Sequence, residues 1–196
     1  MRHRVRHGAW GTASKFWGVG MSVRFHTVVL LTPMRANPGT GIIEKKVLIQ
    51  ASPAVIFRAL TEAKDMAQWF CDRVTSDPRV GGEIKAYWRM GGSGQAQRGR
   101  AIFTSLIADS QVELHWVDEG EGESAGTDRH TICYTIRLKR GTSEVTVRDA
   151  GPPPADEETL EILNQGWISV LRDLKEHCEA RQRNARRRSA GESKAD

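Results

Sequence analysis

The sequence predicts an α+β domain in which a curved antiparallel β-sheet wraps around one long C-terminal α-helix, with two short helices after the first strand. Three observations carry this expectation. Short segments in the middle of the chain alternate apolar and polar residues with a period of two. The segment after Pro152-Pro153-Pro154 repeats its apolar residues at helical spacing. A Ser52-Pro53 step stands directly behind the first strand-like run.

Ile42 to Gln50 (IIEKKVLIQ) is rich in Val and Ile between turn signals and reads as the first strand. Ser52 is a good N-cap, and Pro53 sits in the first turn, where its missing N–H costs nothing. Val55, Ile56, Ala59 and Leu60 form the apolar stripe of a two-turn helix. Thr61 begins a second short helix that ends on Trp69-Phe70, with Cys71 next. With Leu60 and Met66, these aromatics are more apolar surface than a short helix buries alone. They are expected to close the mouth of a cavity.

Val80-Gly81-Gly82-Glu83 is a turn. Ile84, Ala86, Trp88 and Met90 then alternate with Glu83, Lys85, Tyr87 and Arg89, a half-buried strand with one wet face. Gly91-Gly92-Ser93-Gly94 reads as a turn or mobile loop; without a GK[ST] ending it is not read as a phosphate loop. Gly99 to Ile107 is a further strand, and in the next one Val112, Leu114 and Trp116 alternate with Glu113 and His115. Asp118 to Asp128 is acidic and Gly-rich, a solvated loop. Ile132, Tyr134, Ile136 and Leu138 alternate again, and Arg140-Gly141-Thr142 turns the chain into Glu144–Asp149 with Val145 and Val147 facing in. The proline run stops the sheet. A helix follows from about Ala155, its first-turn acids complementing the macrodipole. Leu160, Leu163, Trp167, Val170, Leu171, Leu174 and Cys178 mark its apolar face, which gives way to Arg-rich sequence past Ala180. A sheet with one apolar face needs one cover, and this helix supplies it, with Trp167 expected to face the Trp88–Trp116 side.

The net charge of +5 is unevenly spread. Residues 1–36 hold six basic side chains and no acid; residues 181–196 hold six more against Glu192 and Asp196. From totals of 29 basic and 24 acidic residues, 17 and 22 remain for 37–180, so the body is acidic between basic tails. The expected organisation is a disordered basic extension over 1–41, one domain over 42–180 and a disordered basic tail over 181–196. Met21 and Met34 are alternative starts. Cys71, Cys133 and Cys178 are odd in number and widely spaced, which fits free thiols in a reducing cytoplasm and no zinc site. An organellar location is the alternative, since the acid-free, Arg-containing start also suits a transit peptide. No apolar run approaches the roughly 18 residues of a membrane span. Arg186-Arg187-Arg188 has no interleaved aromatic residue for stacking, which argues against nucleic-acid binding.

Ala51-Ser52-Pro53 with Val55 and Phe57, Gln68-Trp69-Phe70, Val80-Gly81-Gly82, Gly99 opening a strand, Val112-Glu113-Leu114-His115-Trp116, and Gly166-Trp167 followed by Leu171 and Leu174 occur in an order that resembles the START-like (SRPBCC) superfamily. The chain is most similar to the branch named for the C-terminal domain of the activator of heat-shock-protein-90 ATPase, from Ile43 to about Cys178. The resemblance implies a helix-grip fold. It also implies one of three functions: non-enzymatic binding of a small apolar or aromatic molecule between sheet and C-terminal helix, a protein-interaction module that modulates a chaperone ATPase, or a cyclase or lyase using the same cavity. The first is the leading expectation.

The candidate cavity residues are Trp69, Phe70, Trp88, Met90, Phe103, Trp116, Trp167 and Leu171, with Tyr134, Ser105 and Gln165 as polar groups. Alternation puts His115 on the outer face. His130 begins a strand beside the acidic loop and reads as a surface residue, and His177 lies near the end of the last helix. Neither a Ser/His/Asp order nor HExxH occurs, so no catalytic residue, metal or cofactor is expected. The tails lack an apolar period and cannot offset an ordering entropy of roughly 1–2 kcal/mol per residue. A chain cut to residues 37–182 is therefore expected to melt close to the full-length protein by circular dichroism; a large fall would show that a tail docks on the domain.

Overall fold

Alternation makes each strand two-faced, and the strands share one apolar face. In the computed structural model, which describes residues 41–89, 96–117, 130–154 and 156–192, they form a single unclosed sheet. The N-terminal extension up to residue 40, Met90 with the Gly91–Gly94 turn, and the acidic Asp118–Asp128 loop lie outside the described residues. The elements run β1 (Ile42–Ile49), α1 (Pro53–Thr61), α2 (Ala63–Trp69), β2 (Arg73–Ser76), β3 (Glu83–Arg89), β4 (Ala96–Ile107), β5 (Gln111–Val117), β6 (His130–Lys139), β7 (Thr142–Ala150) and α3 (Glu157–Glu192). The sheet order is β1-β7-β6-β5-β4-β3-β2, antiparallel throughout. Six strands and three helices stand where the sequence placed them; β2, four residues long on one edge, has no apolar alternation to announce it.

Ser52 caps α1 by accepting from the Val55 amide at 3.4 Å. Asp156 does the same for α3, accepting from the Thr159 amide at 2.7 Å. Hydrogen bonding to Thr159, through its side chain first and then its amide, holds the Asp156 carboxyl below the usual aspartate range. The α3 stripe of Trp167, Leu171, Leu174 and Cys178 is wholly buried against the sheet face that carries Phe103, Val112, Tyr134 and Val147.

A second set of contacts ties α3 to the edge. Strand β1 is the outer strand on its side, so its end presents unpaired backbone groups. Lys175 Nζ donates to the Leu48 carbonyl at 2.6 Å, and Glu179 and Gln182 accept from the Gln50 and Ser52 amides, each at 2.9 Å. These three side chains lie at helical spacing on one stripe. Lys175 also donates to Glu179, and together these bonds hold the Glu179 carboxyl below its ordinary value against the effect of burial.

The helix does not stop at Ala180, where its apolar period ends, but runs to Glu192. Arg181 pairs with Asp65, a fully buried carboxylate on α2, and Gln182 makes the contact to Ser52 just described. Residues 181 and 182 thus touch the domain, and the charge of Arg181 has an internal partner. Two losses of stability are expected in urea unfolding. Trp167→Ala should cost about 3–5 kcal/mol as a large core truncation. Arg181→Ala should cost roughly 1–3 kcal/mol by leaving Asp65 buried without its cation. An unchanged midpoint for Arg181→Ala would show that water serves Asp65 equally well.

Candidate functional site

The end of the sheet where β3 and β5 finish and β6 begins carries a row of inner-face groups. Gly99 on β4 provides a flat floor: a Cβ there would lie 3.0 Å from both the Trp88 and Trp116 rings. Those two rings stand 6.5 Å apart. Phe70, just past α2, enters between them, 5.3 Å from Trp88 in an edge-on arrangement and 6.0 Å from Trp116. The Trp88 indole donates to the Phe70 carbonyl at 2.7 Å and so fixes that insertion. Trp69 is 5.3 Å from Phe70, and its indole donates to the Ala59 carbonyl at 3.0 Å, satisfying a group that the end of α1 leaves unpaired. Trp69, Phe70 and Trp88 are partly exposed, whereas Trp116 is buried.

Beside Trp116 the row turns polar. His130 is the register partner of Trp116, so the two share a face. His130 Nδ1 lies 2.9 Å from Asp149 Oδ1, and Asp149 Oδ2 accepts from the Trp167 indole at 2.9 Å. Asp149 is 3% exposed, so both oxygens need donors, and two elements supply them. Gly151 makes room for the imidazole, because a Cβ there would fall 2.4 Å from its ring atoms. A void of about 10 Å³, room for about one water, lies between His130, Asp149, Ile43, Pro152, Leu160 and Leu163. Tyr134, further along the same face of β6, packs edge-on against Trp167 at 6.1 Å. Burial, and then the charge of Asp149, push its phenol well above the ordinary range, so it stays protonated.

Trp69, Phe70, Trp88 and Trp116 form one ring cluster. Tyr134 and Trp167 pack together over β6 and β7, and Trp167 is linked through Asp149 to His130, the register partner of Trp116. Phe103 and Leu171 are completely buried core. Met90 lies outside the described residues. Two polar candidates point away from the inner face. A β-bulge between Phe103 and Ser105 shifts the phase, so that Ser105 opposes Glu113 on the outer face, where Gln111 donates to it at 3.2 Å. Gln165 is exposed on α3 and donates to Glu161 at 2.7 Å. His130 is corrected in the opposite sense: it belongs to the inner face, its side chain 16% exposed. His115 contacts Thr131 on the outer face, as expected. Burial pushes the Cys71 thiol up to about 11 and the Cys178 thiol up to about 12, so neither is an activated nucleophile.

The sequence did hold a signal for the missed pair. His130 is in phase with Ile132 and Tyr134, and Asp149 with Val145 and Val147. A titratable residue at an inward position of each of two neighbouring strands is the pattern to look for.

The family model for activator of Hsp90 ATPase homolog 1-like protein matches residues 50–179. The chain belongs to this family. Its fold is shared with protein CV1439 from Chromobacterium violaceum, at 19% identity and a TM-score of 0.61 over 71% of this chain and 98% of that one. It is shared also with protein Ms6760 from Mycobacterium smegmatis, at 16% identity and 0.60 over 76% and 95%. The Aha1 dimer from Colwellia psychrerythraea matches at 22% identity and 0.57 over 70% and 96%. A search of the curated proteins finds no match. Membership accounts for the helix-grip architecture. At these identities the structural likeness speaks of fold alone. Among the described residues no helix is long and apolar enough to cross a membrane.

Gly151→Ala tests the packing of the polar pair. The added methyl should displace the imidazole, lower stability by about 1–3 kcal/mol through overpacking, and shift the His130 ring resonances in NMR spectra. Unchanged ring resonances would mean that the strand end relaxes without moving His130.

Proposed function

We propose that this domain is a non-enzymatic binder of a small apolar or aromatic molecule, held against Phe70, Trp88 and Trp116 at the end of the sheet. One observation carries the reading: several large aromatic rings, some partly exposed, converge at this end of the inner face, next to a buried polar pair. Small-molecule sites combine an apolar wall with a few placed polar groups in this way. Offset and edge-on ring geometry suits an aromatic guest, which would add one more ring to an existing set.

Family membership favours a second reading. The family is named for an activator of the Hsp90 ATPase, and the Colwellia relative is described as a dimer. A protein-interaction module that modulates a chaperone ATPase would use the outside of the same domain and would not need a guest among the rings.

Phe70 is the residue that separates these readings. Trp69 caps α1, so its loss would disturb the fold; the Phe70 side chain makes ring contacts, and the bonds to Trp88 and Met66 are made by the Phe70 backbone, which an alanine keeps. Phe70→Ala should weaken binding of anilinonaphthalenesulfonate roughly three- to tenfold while the circular dichroism spectrum is kept. Native mass spectrometry of the purified protein should show a co-purified small molecule. Dye binding that ignores Phe70, with no bound mass, would favour the protein-interaction reading.

A further inference from the structure

The sheet has a second face, and its β2–β4 end is charged unlike the rest of the body. Val74, Ala86 and Gly99 are register partners on the inner side, so their strand neighbours point outward. The pairing sets Arg73, Tyr87 and Arg98 in one row across three strands. Lys85 and Arg100 are partners in the next row, and Arg89 stands two residues past Tyr87 on the other side. Arg73, Arg89 and Arg98 are exposed. Lys85 and Arg100 share one carboxylate, that of Glu83. Asp72, at the edge, accepts from the Arg89 amide at 2.8 Å. Among the described residues of these rows, five cations stand against two acids, on a body over 37–180 that carries −5. Gathering like charges on one face does not stabilise a sheet. Between the guanidinium groups lies a ring. Arg98 sits over Tyr87, 5.9 Å from its centroid, and Tyr87 is still 37% exposed. An aromatic ring between cations on a sheet face is what the Arg186-Arg187-Arg188 run lacks.

We propose that the outer face of β2–β4 binds single-stranded nucleic acid, with Tyr87 stacking on a base and Arg73 and Arg98 contacting the phosphates on either side of it. The inference uses the outer face and is independent of the inner-face reading above. The row itself selects the partner. It spans two strand spacings, about 9.5 Å, so two long arginine side chains reach phosphates flanking one nucleotide. An acidic protein segment would match the charge and leave the ring unused. A duplex would also match the charge, but its bases are stacked on one another and offer the ring no face. A single strand uses both, as it does on other sheet faces that carry aromatic residues.

The test is fluorescence anisotropy of a labelled oligothymidylate of about 12 nucleotides, titrated with the full chain at several salt concentrations. Tyr87→Leu should weaken binding roughly five- to tenfold and leave the salt dependence unchanged. Tyr87→Phe, which keeps the ring, should bind as the wild type does. Arg73→Gln and Arg98→Gln should each lower the slope of log affinity against log salt by about 0.7. A duplex of the same length should bind more weakly than the single strand. If Tyr87→Leu does not fold, the two arginine variants and the duplex comparison decide the matter. Four results would overturn the proposal. A slope that falls in the triple variant Arg186→Gln, Arg187→Gln, Arg188→Gln and not in the sheet variants would assign binding to the C-terminal segment. Equal affinity for duplex and single strand would remove the stacking. Displacement by polyglutamate, with Tyr87→Leu binding unchanged, would give the face to an acidic protein partner. Absence of binding by the wild type would also end it; if amides at Asp118, Glu119, Glu121 and Glu123 then restored binding, the occupant would be the chain's own acidic segment.

Discussion

A carboxylate near the end of β7 sets how the sheet and its cover meet. The apolar contacts of α3 are strong but non-directional, and Trp167, Leu171, Leu174 and Cys178 could slide along an apolar surface at modest cost. Asp149 removes that freedom. Burying an ionised carboxylate costs several kcal/mol unless its oxygens are matched. Here the matching donors come from Trp167 on the helix and His130 on a neighbouring strand. The helix reaches its seat only in the register that brings the indole N–H to Oδ2. The same group that positions the cover also orients the imidazole, so fold and candidate site share one constraint.

At the opposite end of α3 the contacts are polar as well, but different in kind. Lys175, Glu179 and Gln182 answer backbone groups of β1 and the start of α1, while Arg181 reaches Asp65 on α2. These contacts cover an edge that would otherwise be open to another strand. They also explain why the helical backbone carries on past the end of its apolar stripe. Its last contacts with the domain are made by charged and amide side chains, which hydropathy counts as solvent-facing.

The architecture was legible because each element has a single period and a clear boundary. Ser52-Pro53 starts α1, three prolines precede α3, and four of the strands, β3, β5, β6 and β7, alternate cleanly. The candidate site was legible only in its aromatic half. Trp88, Trp116 and Phe70 meet because two lie in phase on the sheet and the third ends a helix that reaches that edge. Ser105 was lost to a bulge, which inverts the inward face after Phe103 and has no local signature in the residues around it. Gln165 was lost to helical phase: it lies two residues from Trp167, about 200° around the axis, and so faces out. His130 stands beside an acidic stretch that reads as surface, although its phase with Ile132 and Tyr134 puts it on the inner face. The Asp65–Arg181 pair spans most of the domain, and no local pattern announces such a contact.

The anchors leave the parts around the aromatic rings unequal. The sheet side is rigid: Trp116 is buried, Gly99 sits beneath both indoles, and His130 is held by a buried acid. The other side is α2, seven residues long, which buries only Asp65 and Met66. It is held at discrete points, by the Trp69 indole on Ala59, by the Trp88 indole on the Phe70 carbonyl, and by Asp65 on Arg181. Element stability follows buried apolar contact, and α2, with little of it, relies on these polar anchors for its place beside the rings. The Asp65 pair differs from the two indole bonds: its carboxylate is buried, so water cannot readily replace its partner. Arg181, from a segment that composition assigns to a tail, thus anchors the short helix that leads to Phe70.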